Sequence, residues 1–315
     1  MSLCSIQEQC GGCPRMSESL AAQRAHRIER VSSLLDVPVT QLIESPETEG
    51  YRSRIELTPG PDGRLGYRSR RSHTGITVEK CIVARPEINA LLNEVGIVPS
   101  YIERVAFRSN GQNASIHIRC KDKFRRKAQA WLQTLEHLGV PLALNGRGVF
   151  LDPSTRIEVC GVLHQLSPST FYQVNLAINE KLVSDVIDAV LGFQPSAVLD
   201  LFSGAGNFSL PIAKKGIPVT LVEAHPAATK DARRTISKLN VEAKIQTISA
   251  DKFRAGDAFF DVAILDPPRK GAGPVMDQVL TTRPRAVVLI SCNPHTLASD
   301  LVRAKRHGYR MQGVR

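Results

Sequence analysis

A cysteine in the setting of a nucleophile lies near the end of the sequence. The motif Ser291-Cys292-Asn293-Pro294 follows the apolar run 286–290, whose β-branched composition predicts a buried strand. A cysteine directly after such a strand lies at the carboxyl edge of a parallel sheet, where open α/β folds bind their ligands. The alternative is a buried structural cysteine, which is the usual outcome for a lone residue of this type. A cofactor site and a substrate surface at the same edge would favour the nucleophile.

Four other cysteines have the spacing of metal ligands. They are Cys4, Cys10, Cys13 and Cys81. The close pair Cys10 and Cys13, separated only by Gly11 and Gly12, is compact enough to supply two ligands to one ion. Four thiolates suit either zinc or an iron–sulfur centre, and the spacing alone leaves both open. The two remaining cysteines, Cys120 and Cys160, are expected to be buried in strands.

A glycine loop and a series of acidic residues follow successive predicted strands. The loop 200–208 contains Gly204 and Gly206, Glu223 ends the second strand, Asp251 follows the third, and the stiff Asp-Pro-Pro-Arg-Lys-Gly loop 266–271 follows the fourth. The strands end in acidic residues and the glycine loop has no basic residue. This pattern favours a nucleoside ligand without phosphates, such as S-adenosylmethionine, over a dinucleotide. The alternative is that these are ordinary turn and helix-capping residues.

The elements that must position these residues fall into two parts. Residues 1–165 have α+β composition, with a helix near 17–36 that could pack on the catalytic domain and short strands between Gly and Pro residues. Residues 166–315 alternate strand and helix, which predicts a doubly wound parallel sheet of Rossmann-like type. We place the domain boundary near residue 165.

Composition limits the partners of the chain. Its 315 residues carry a formal net charge of +11, which indicates a polyanionic partner and most simply a nucleic acid. No stretch is long and apolar enough to span a bilayer, and the N-terminus lacks a secretory signal. We therefore expect a cytoplasmic, monomeric protein that binds RNA and no membrane, with cysteines serving as ligands or nucleophiles.

The motifs together resemble a known family. The segments 171–175 (Phe-Tyr-Gln-Val-Asn), 200–206 (Asp-Leu-Phe-Ser-Gly-Ala-Gly), 266–271 and 291–294 are similar, in this order, to those of bacterial RNA uracil-5 methyltransferases that act on 23S rRNA or tRNA. The resemblance runs from residue 4 to the end of the chain. It implies a class I S-adenosylmethionine-dependent methyltransferase domain that methylates C5 of a specific uridine in RNA.

The resemblance also implies roles for individual residues. Cys292 would be the nucleophile that adds to C6 of uracil. The implied contacts of S-adenosylmethionine are Gln173, Phe202, Asn207, Glu223, Asp251 and Asp266. The branches of the family that act on ribosomal RNA carry a 4Fe-4S cluster, and its ligands would be Cys4, Cys10, Cys13 and Cys81.

Two departures from the family pattern refine the expectation. The N-terminal RNA-binding barrel of some members is missing ahead of Cys4, which favours the shorter branch that acts on 23S rRNA. The sequence stops at Arg315, before the segment that carries the glutamate general base, so we expect the base and the last strand of the sheet to be missing.

A tRNA methyltransferase and a non-catalytic RNA-binding or assembly protein are the alternatives to a 23S rRNA methyltransferase. A nicotinamide-dependent oxidoreductase is disfavoured because Ser209 replaces the third glycine of its fingerprint.

Overall fold

The computed structural model describes residues 4–68 and 75–315. The N-terminal part contains four helices and nine strands within these residues. The helices are α1 (Gln7–Cys10), α2 (Leu20–Leu35), α3 (Pro86–Glu94) and α4 (Arg125–Gln133). The strands are β1 (Arg54–Pro59), β2 (Leu65–Arg68), β3 (Gly75–Thr77), β4 (Ile102–Ser109), β5 (Ala114–Cys120), β6 (Leu142–Leu144), β7 (Arg147–Phe150), β8 (Thr155–Val159) and β9 (Val162–Leu166).

Seven of these strands form one mixed sheet in the order β3-β2-β1-β4-β5-β6-β7, in which only β5 and β6 run parallel. Its central strands alternate between buried apolar and polar residues, the period of a sheet with one face in a core. Side chains such as Leu57, Phe107 and Ile116 pack against α3 and α4 on the apolar face. The hairpin of β8 and β9 packs instead on the C-terminal part.

The C-terminal part alternates helix and strand along the sequence. Its helices are α5 (Leu176–Leu191), α6 (Ser209–Ala213), α7 (Pro226–Leu239), α8 (Pro274–Thr281) and α9 (Pro294–Arg306). Its strands are β10 (Val198–Leu201), β11 (Val219–Glu223), β12 (Ala243–Thr247), β13 (Val262–Leu265) and β14 (Ala286–Leu289).

These five strands form a parallel sheet in the order β12-β11-β10-β13-β14. The predicted doubly wound parallel sheet is confirmed. The chain runs outward from β10 through β11 to β12 and then returns to the other side of β10. The direction of winding therefore switches between β10 and β13, where such sheets open a ligand crevice at the carboxyl ends of the strands.

The N-terminal helix α2 lies on the C-terminal part. It contacts α9, and the guanidinium of Arg30 lies 3.4 Å from the imidazole Nε2 of His295. Ser19 begins α2 by accepting a hydrogen bond from the Ala22 amide, as an N-cap serine does. No helix among the described residues has the length and apolar composition needed to cross a bilayer.

Candidate active site

Three adjacent parallel strands end in register at their carboxyl ends. Leu201 of β10 pairs with Leu265 of β13, and Leu265 pairs with Leu289 of β14. Because parallel strands in register end at the same edge, the residues that follow them open onto one crevice. Phe202 and Asp266 are the first residues of the first two loops, so the structure brings these two predicted site residues together.

Cys292 lies on a short turn between β14 and α9, and its side chain is exposed. The Ser291 hydroxyl accepts a hydrogen bond from the Asn293 amide at 3.2 Å, and the Asn293 side chain accepts one from the His295 amide at 3.2 Å. Asn293 thereby caps α9, so the turn has a fixed shape. A thiol that is accessible and close to a helix N-terminus has two properties of a reactive cysteine.

The loop after β13 is tied to the turn that carries Cys292. The side-chain amide of Asn293 donates to the carbonyl of Arg269 at 3.1 Å. Buried Asp300 of α9 accepts the amides of Ala272 and Gly273 at 2.8 and 2.9 Å. The loops expected to share this edge are therefore joined by hydrogen bonds. Sequence reasoning missed Asp300, because a carboxylate in the middle of an amphipathic helix resembles any solvated residue.

The glycine loop after β10 has a backbone that constrains its residues. Gly206 has a φ of 84°, and a Cβ atom there would lie 2.5 Å from Cγ of Leu210. Only glycine fits this conformation and this close approach. Phe202 has a φ of 61°, which is uncommon for a bulky residue and is a kind of strain that concentrates at functional sites.

Glu223 holds the glycine loop from the neighbouring strand. One carboxylate oxygen accepts the Gly204 amide at 2.9 Å and the other accepts the His225 amide at 2.7 Å. A carboxylate offers about four lone-pair sites, so two remain for the hydroxyl groups of a ligand. Glu223 can therefore shape the loop and still bind a ribose.

Asn207 is buried and uses its side chain within the protein. Its amide forms two reciprocal hydrogen bonds of 2.9 Å with the amide of Asn179 on α5. Because these bonds hold the side chain toward Asn179, we expect a cofactor to contact Asn207 mainly through its backbone. Sequence reasoning missed Asn179, which lies on the apolar side of a helix and gives no motif signal.

Gln173 lies on an extended segment that is hydrogen-bonded to the N-terminal part. The Ser53 amide donates to the carbonyl of Val174 at 2.8 Å, and Arg52 pairs with both Asn175 and Ala84. Gln173 is half-buried. Through Arg52, its segment is thus joined to the chain that follows Cys81.

Asp251 is the most exposed of the acidic site residues. It lies in a single 3-10 turn after β12, where its backbone carbonyl accepts a hydrogen bond from Arg254. A hydrogen bond from the Ser249 side chain to its carboxylate lowers the pKa of Asp251. The structure therefore places it at the expected edge of the sheet but leaves its role as a cofactor contact a prediction.

Two carboxyl groups at this edge bind protons more tightly than usual. Burial raises the pKa of Asp200 to about 7, and the charges of Asp266 and Glu223 act in the same direction. Burial also raises the pKa of Asp266 to about 6. Ser209 lies beside the Asp200 carboxyl, but neither Asp200 oxygen has a partner in hydrogen-bonding geometry within the described ranges. A positive charge close to either carboxyl group would lower its pKa and stabilise its ionised form.

The turn that precedes Gln173 is clamped from both parts of the protein. Asp231 of α7 accepts hydrogen bonds from the Ser167 amide at 2.7 Å, from the Ser167 hydroxyl at 2.6 Å and from the Thr170 hydroxyl at 2.6 Å. Arg108 of β4 donates to the carbonyls of Ser167, at 3.1 Å, and Thr170. Both charged side chains are buried. They fix the turn relative to the sheet on each side of it.

The four predicted metal ligands are half-buried thiols in one region of the N-terminal part. Burial raises the pKa of Cys10, and the charges of Cys81 and Cys4 raise it further. The amide of Cys81 donates to the side chain of Asn89 at 2.9 Å, which fixes its loop, and the Tyr67 hydroxyl lies 3.7 Å from its sulfur. No three His, Cys, Asp or Glu side chains in residues 4–68 and 75–315 are arranged to hold a single metal ion.

The expectation for the two remaining cysteines is half right. Cys120 is buried at the end of β5, as predicted. Cys160 is not in a strand: it lies in the turn between β8 and β9 with a φ of 46° and is partly exposed. Its amide donates to the carboxylate of Glu180, which stabilises the turn. The short apolar run around Cys160 belongs to two strands that a tight hairpin joins. Hydrophobic periodicity does not show that the chain turns back at this residue.

Comparisons with known proteins agree with this geometry. Residues 176–283 match the family described as "Methyltransferase small domain". The 23S rRNA (uracil(1939)-C(5))-methyltransferase RlmD of Vibrio campbellii is 30% identical over 346 residues, which cover 98% of this chain and 76% of the relative. The protein of the same name from Dichelobacter nodosus is 28% identical over 341 residues, which cover 98% and 78%.

A solved structure has the same fold over both parts of the chain. It is the tRNA (uracil-54, C5)-methyltransferase of Pyrococcus abyssi in complex with S-adenosyl-L-homocysteine, with a TM-score of 0.78 and 22% identity, covering 96% of this chain and 80% of that one. At 22% identity, this structural similarity shows a shared fold. The sequence similarity to the bacterial relatives extends over nearly the whole chain and indicates common descent. On these grounds the chain belongs to the family of 23S rRNA (uracil-C5)-methyltransferases.

Proposed function

We propose that this protein transfers a methyl group from S-adenosylmethionine to C5 of a uridine in 23S rRNA. One observation carries the proposal: an exposed cysteine and an acidic crevice share one sheet edge, and the loops of Cys292 and Asp266 are hydrogen-bonded to each other. Residues 166–315 would supply the catalytic domain, and residues 1–165 would bind RNA. The test is a methyl-transfer assay on 23S rRNA from cells that lack the modification, with mass mapping of the product.

The chemistry of uracil explains the need for a thiol. C5 of uracil is a weak nucleophile, so a thiolate must first add to C6, forming the C–S bond and moving the electron pair of the double bond toward C5 and O4. S-adenosylmethionine supplies an electrophilic methyl group when it is bound. Loss of the C5 proton to a base then returns the electron pair and breaks the C–S bond. Cys292 is accessible enough to reach a uracil that has been unstacked from the RNA.

The acidic crevice fits the cofactor by charge. S-adenosylmethionine carries a positive sulfonium, and the buried carboxyl groups of Asp200 and Asp266 would be stabilised in their ionised form beside it. Glu223 keeps lone pairs for ribose hydroxyls, and Phe202 presents a ring at the end of β10. Gln173, Asn207 and Asp251 complete the proposed contacts, with Asn207 acting through its backbone.

Cofactor binding is expected to strengthen as the pH rises from about 5.5 to about 7.5. Protonated carboxyls do not attract a sulfonium, and Asp266 and Asp200 lose their protons with pKa values of about 6 and about 7. The bound cation lowers both values, so binding releases protons over this range and the affinity rises by roughly threefold to tenfold. Titration calorimetry in two buffers of different ionisation enthalpy measures both quantities. Asp266→Asn should flatten the profile, and a pH-independent affinity in the unsubstituted protein would contradict the assignment.

We further propose that Cys4, Cys10, Cys13 and Cys81 hold a 4Fe-4S cluster. The four thiols suit an iron–sulfur cluster because they lie in one region of the N-terminal part. Asn89 and Tyr67 already contact Cys81. A cluster spaces its thiolates more widely than one ion does, since a cube of iron and sulfide lies between them. The cluster would fasten the N-terminus to the loop of Cys81.

Protein purified without oxygen is expected to contain iron and sulfide and to absorb broadly near about 400 nm. Cys81→Ser should lose most of the iron, because it removes one of four ligands. Cys160→Ser is the matched control: it also removes a half-buried cysteine, but one in the β8–β9 turn, and it should keep full iron content. Stoichiometric zinc without iron would contradict the cluster. It would show that the four thiolates bind zinc, which is the alternative that their chemistry leaves open.

A further inference from the structure

The face of the N-terminal sheet opposite α3 and α4 is rich in arginine. On β1 and β4, Ile55, Leu57, Val105 and Phe107 point into the core, so the residues between them point the other way. The arginines on that other face are Arg54, Arg104, Arg108 and Arg119. We call Arg54, Arg104 and Arg119 the arginine face.

The pairing of the strands places these cations directly opposite one another. Arg54 pairs with Arg108 across β1 and β4, and Arg104 pairs with Arg119 across β4 and β5. Like charges opposite each other on antiparallel strands destabilise a sheet. The two pairs lie four residues apart along β4, and the exposed pair, Arg104 and Arg119, is a cost to folding that a polyanionic ligand would offset.

The acidic residue on this face does not neutralise it. Glu56 accepts a hydrogen bond from Arg54 at 2.8 Å and another from Arg104. One carboxylate thus orients two guanidinium groups and leaves a surplus of positive charge. Arg119 is exposed and makes no ion pair within the described ranges, and the Arg104 side chain is 50% exposed. Arg119 is therefore free to bind a ligand from solvent, and the exposed part of the Arg104 guanidinium can join it.

The arginine face borders the turn that leads to the active site. Arg108, the partner of Arg54, donates to the carbonyls of Ser167 and Thr170, and Phe171 follows with an exposed ring. Gln173, a proposed cofactor contact, is two residues farther on. Through Arg108, the strand β4 that carries Arg104 is therefore joined to the segment that leads to the proposed cofactor site.

We propose that the arginine face binds the phosphate backbone of the RNA substrate next to the target uridine. The planar forks of arginine match phosphate oxygens in pairs, and counterion release would make this contact strongly dependent on salt. The proposal rests on the proposed function for its choice of RNA. It adds where on the N-terminal part the RNA lies and which side chains hold it.

The experiment is RNA binding measured by fluorescence anisotropy over a series of salt concentrations. The probe is a labelled stem-loop of 23S rRNA with the target uridine and flanking nucleotides. The double substitution Arg104→Gln and Arg119→Gln should weaken binding by about tenfold and lower the slope of log affinity against log salt by about 1.5. Affinity for S-adenosylmethionine should stay unchanged.

Two further variants separate phosphate binding from other effects. Lys215→Gln with Lys244→Gln removes the same charge from exposed positions of the C-terminal part, and it should leave RNA binding within about twofold. Arg104→Lys with Arg119→Lys should restore the salt slope but only part of the affinity, because lysine keeps the charge without the paired N–H donors of arginine. Thermal melting of each variant checks that the fold is intact.

Several outcomes would overturn the proposal. The first is an unchanged RNA affinity and salt slope in the glutamine variant. The second is an equal loss of RNA affinity in the Lys215/Lys244 control. The third is a glutamine variant that loses binding to anionic lipid vesicles but keeps its affinity for RNA. Failure of the proposed function would look different. In that case the unsubstituted protein would show no methyl transfer to the RNA, whether or not the arginine face binds it.

Discussion

Replacing Cys292 with alanine is expected to abolish methyl transfer to RNA while S-adenosylmethionine still binds. The thiol is exposed at the end of β14 and does not contribute to a core, so its removal should leave the fold intact. Without addition at C6, C5 of uracil cannot attack a methyl group at a useful rate. Loss of a covalent nucleophile lowers turnover by on the order of 10⁴-fold or more. Single-turnover methylation of unmodified 23S rRNA and calorimetric titration of the cofactor give the two readouts.

A trapping experiment tests the covalent step itself. RNA that carries 5-fluorouridine at the target position should form a stable adduct with the protein, because the fluorine cannot leave in place of the C5 proton. The adduct would appear as a slower band on a denaturing gel and would be absent from Cys292→Ala. Cys160→Ala is the matched control and should both turn over and form the adduct. Methylation that survives in Cys292→Ala would exclude this residue as the nucleophile.

The C-terminal sheet could be predicted because its strands are short, continuous apolar runs. Strands such as Val262–Leu265 are buried on both faces, and helices separate them at regular intervals. The N-terminal sheet was harder to predict. β4 reads Ile-Glu-Arg-Val-Ala-Phe-Arg-Ser, and its charged residues hid a central strand. Those charges belong to the arginine face and to the clamp at Arg108, so the pattern failed where the strand carries binding groups.

The site could be predicted in its parts more readily than in its connections. Motifs predict Cys292, Glu223 and Asp266 as site residues, because catalysis and ligand binding restrict residue types at strand ends, and these roles remain predictions. The groups that hold those parts together carry no local signal. Asp300, which fastens the loop after β13, lies in an ordinary helix and makes its contacts 27 and 28 residues away along the chain. Such contacts exist only in three dimensions.

Asp231 is expected to show the largest effect on stability. It is 1% exposed and accepts three short hydrogen bonds from Ser167 and Thr170. Alanine at this position leaves the buried Thr170 hydroxyl and the two partly buried Ser167 donors without this acceptor, beside the buried cation of Arg108. The free energy of unfolding should fall by roughly 3–5 kcal/mol. Urea unfolding followed by circular dichroism measures the change, and Asp257→Ala, at an exposed aspartate, is the control that should stay within about 0.5 kcal/mol.

A double-mutant cycle distinguishes a shared clamp from two separate contacts. Arg108 and Asp231 lie on different parts of the protein, and each bonds to the same turn at 167–170. Once Asp231→Ala has released the turn, Arg108→Ala should cost less than it does alone, so the two losses should not add. The freed turn should also weaken cofactor binding, because it leads directly to Gln173. Strict additivity, or an unchanged cofactor affinity in a folded Asp231→Asn variant, would show that the turn is held independently of the site.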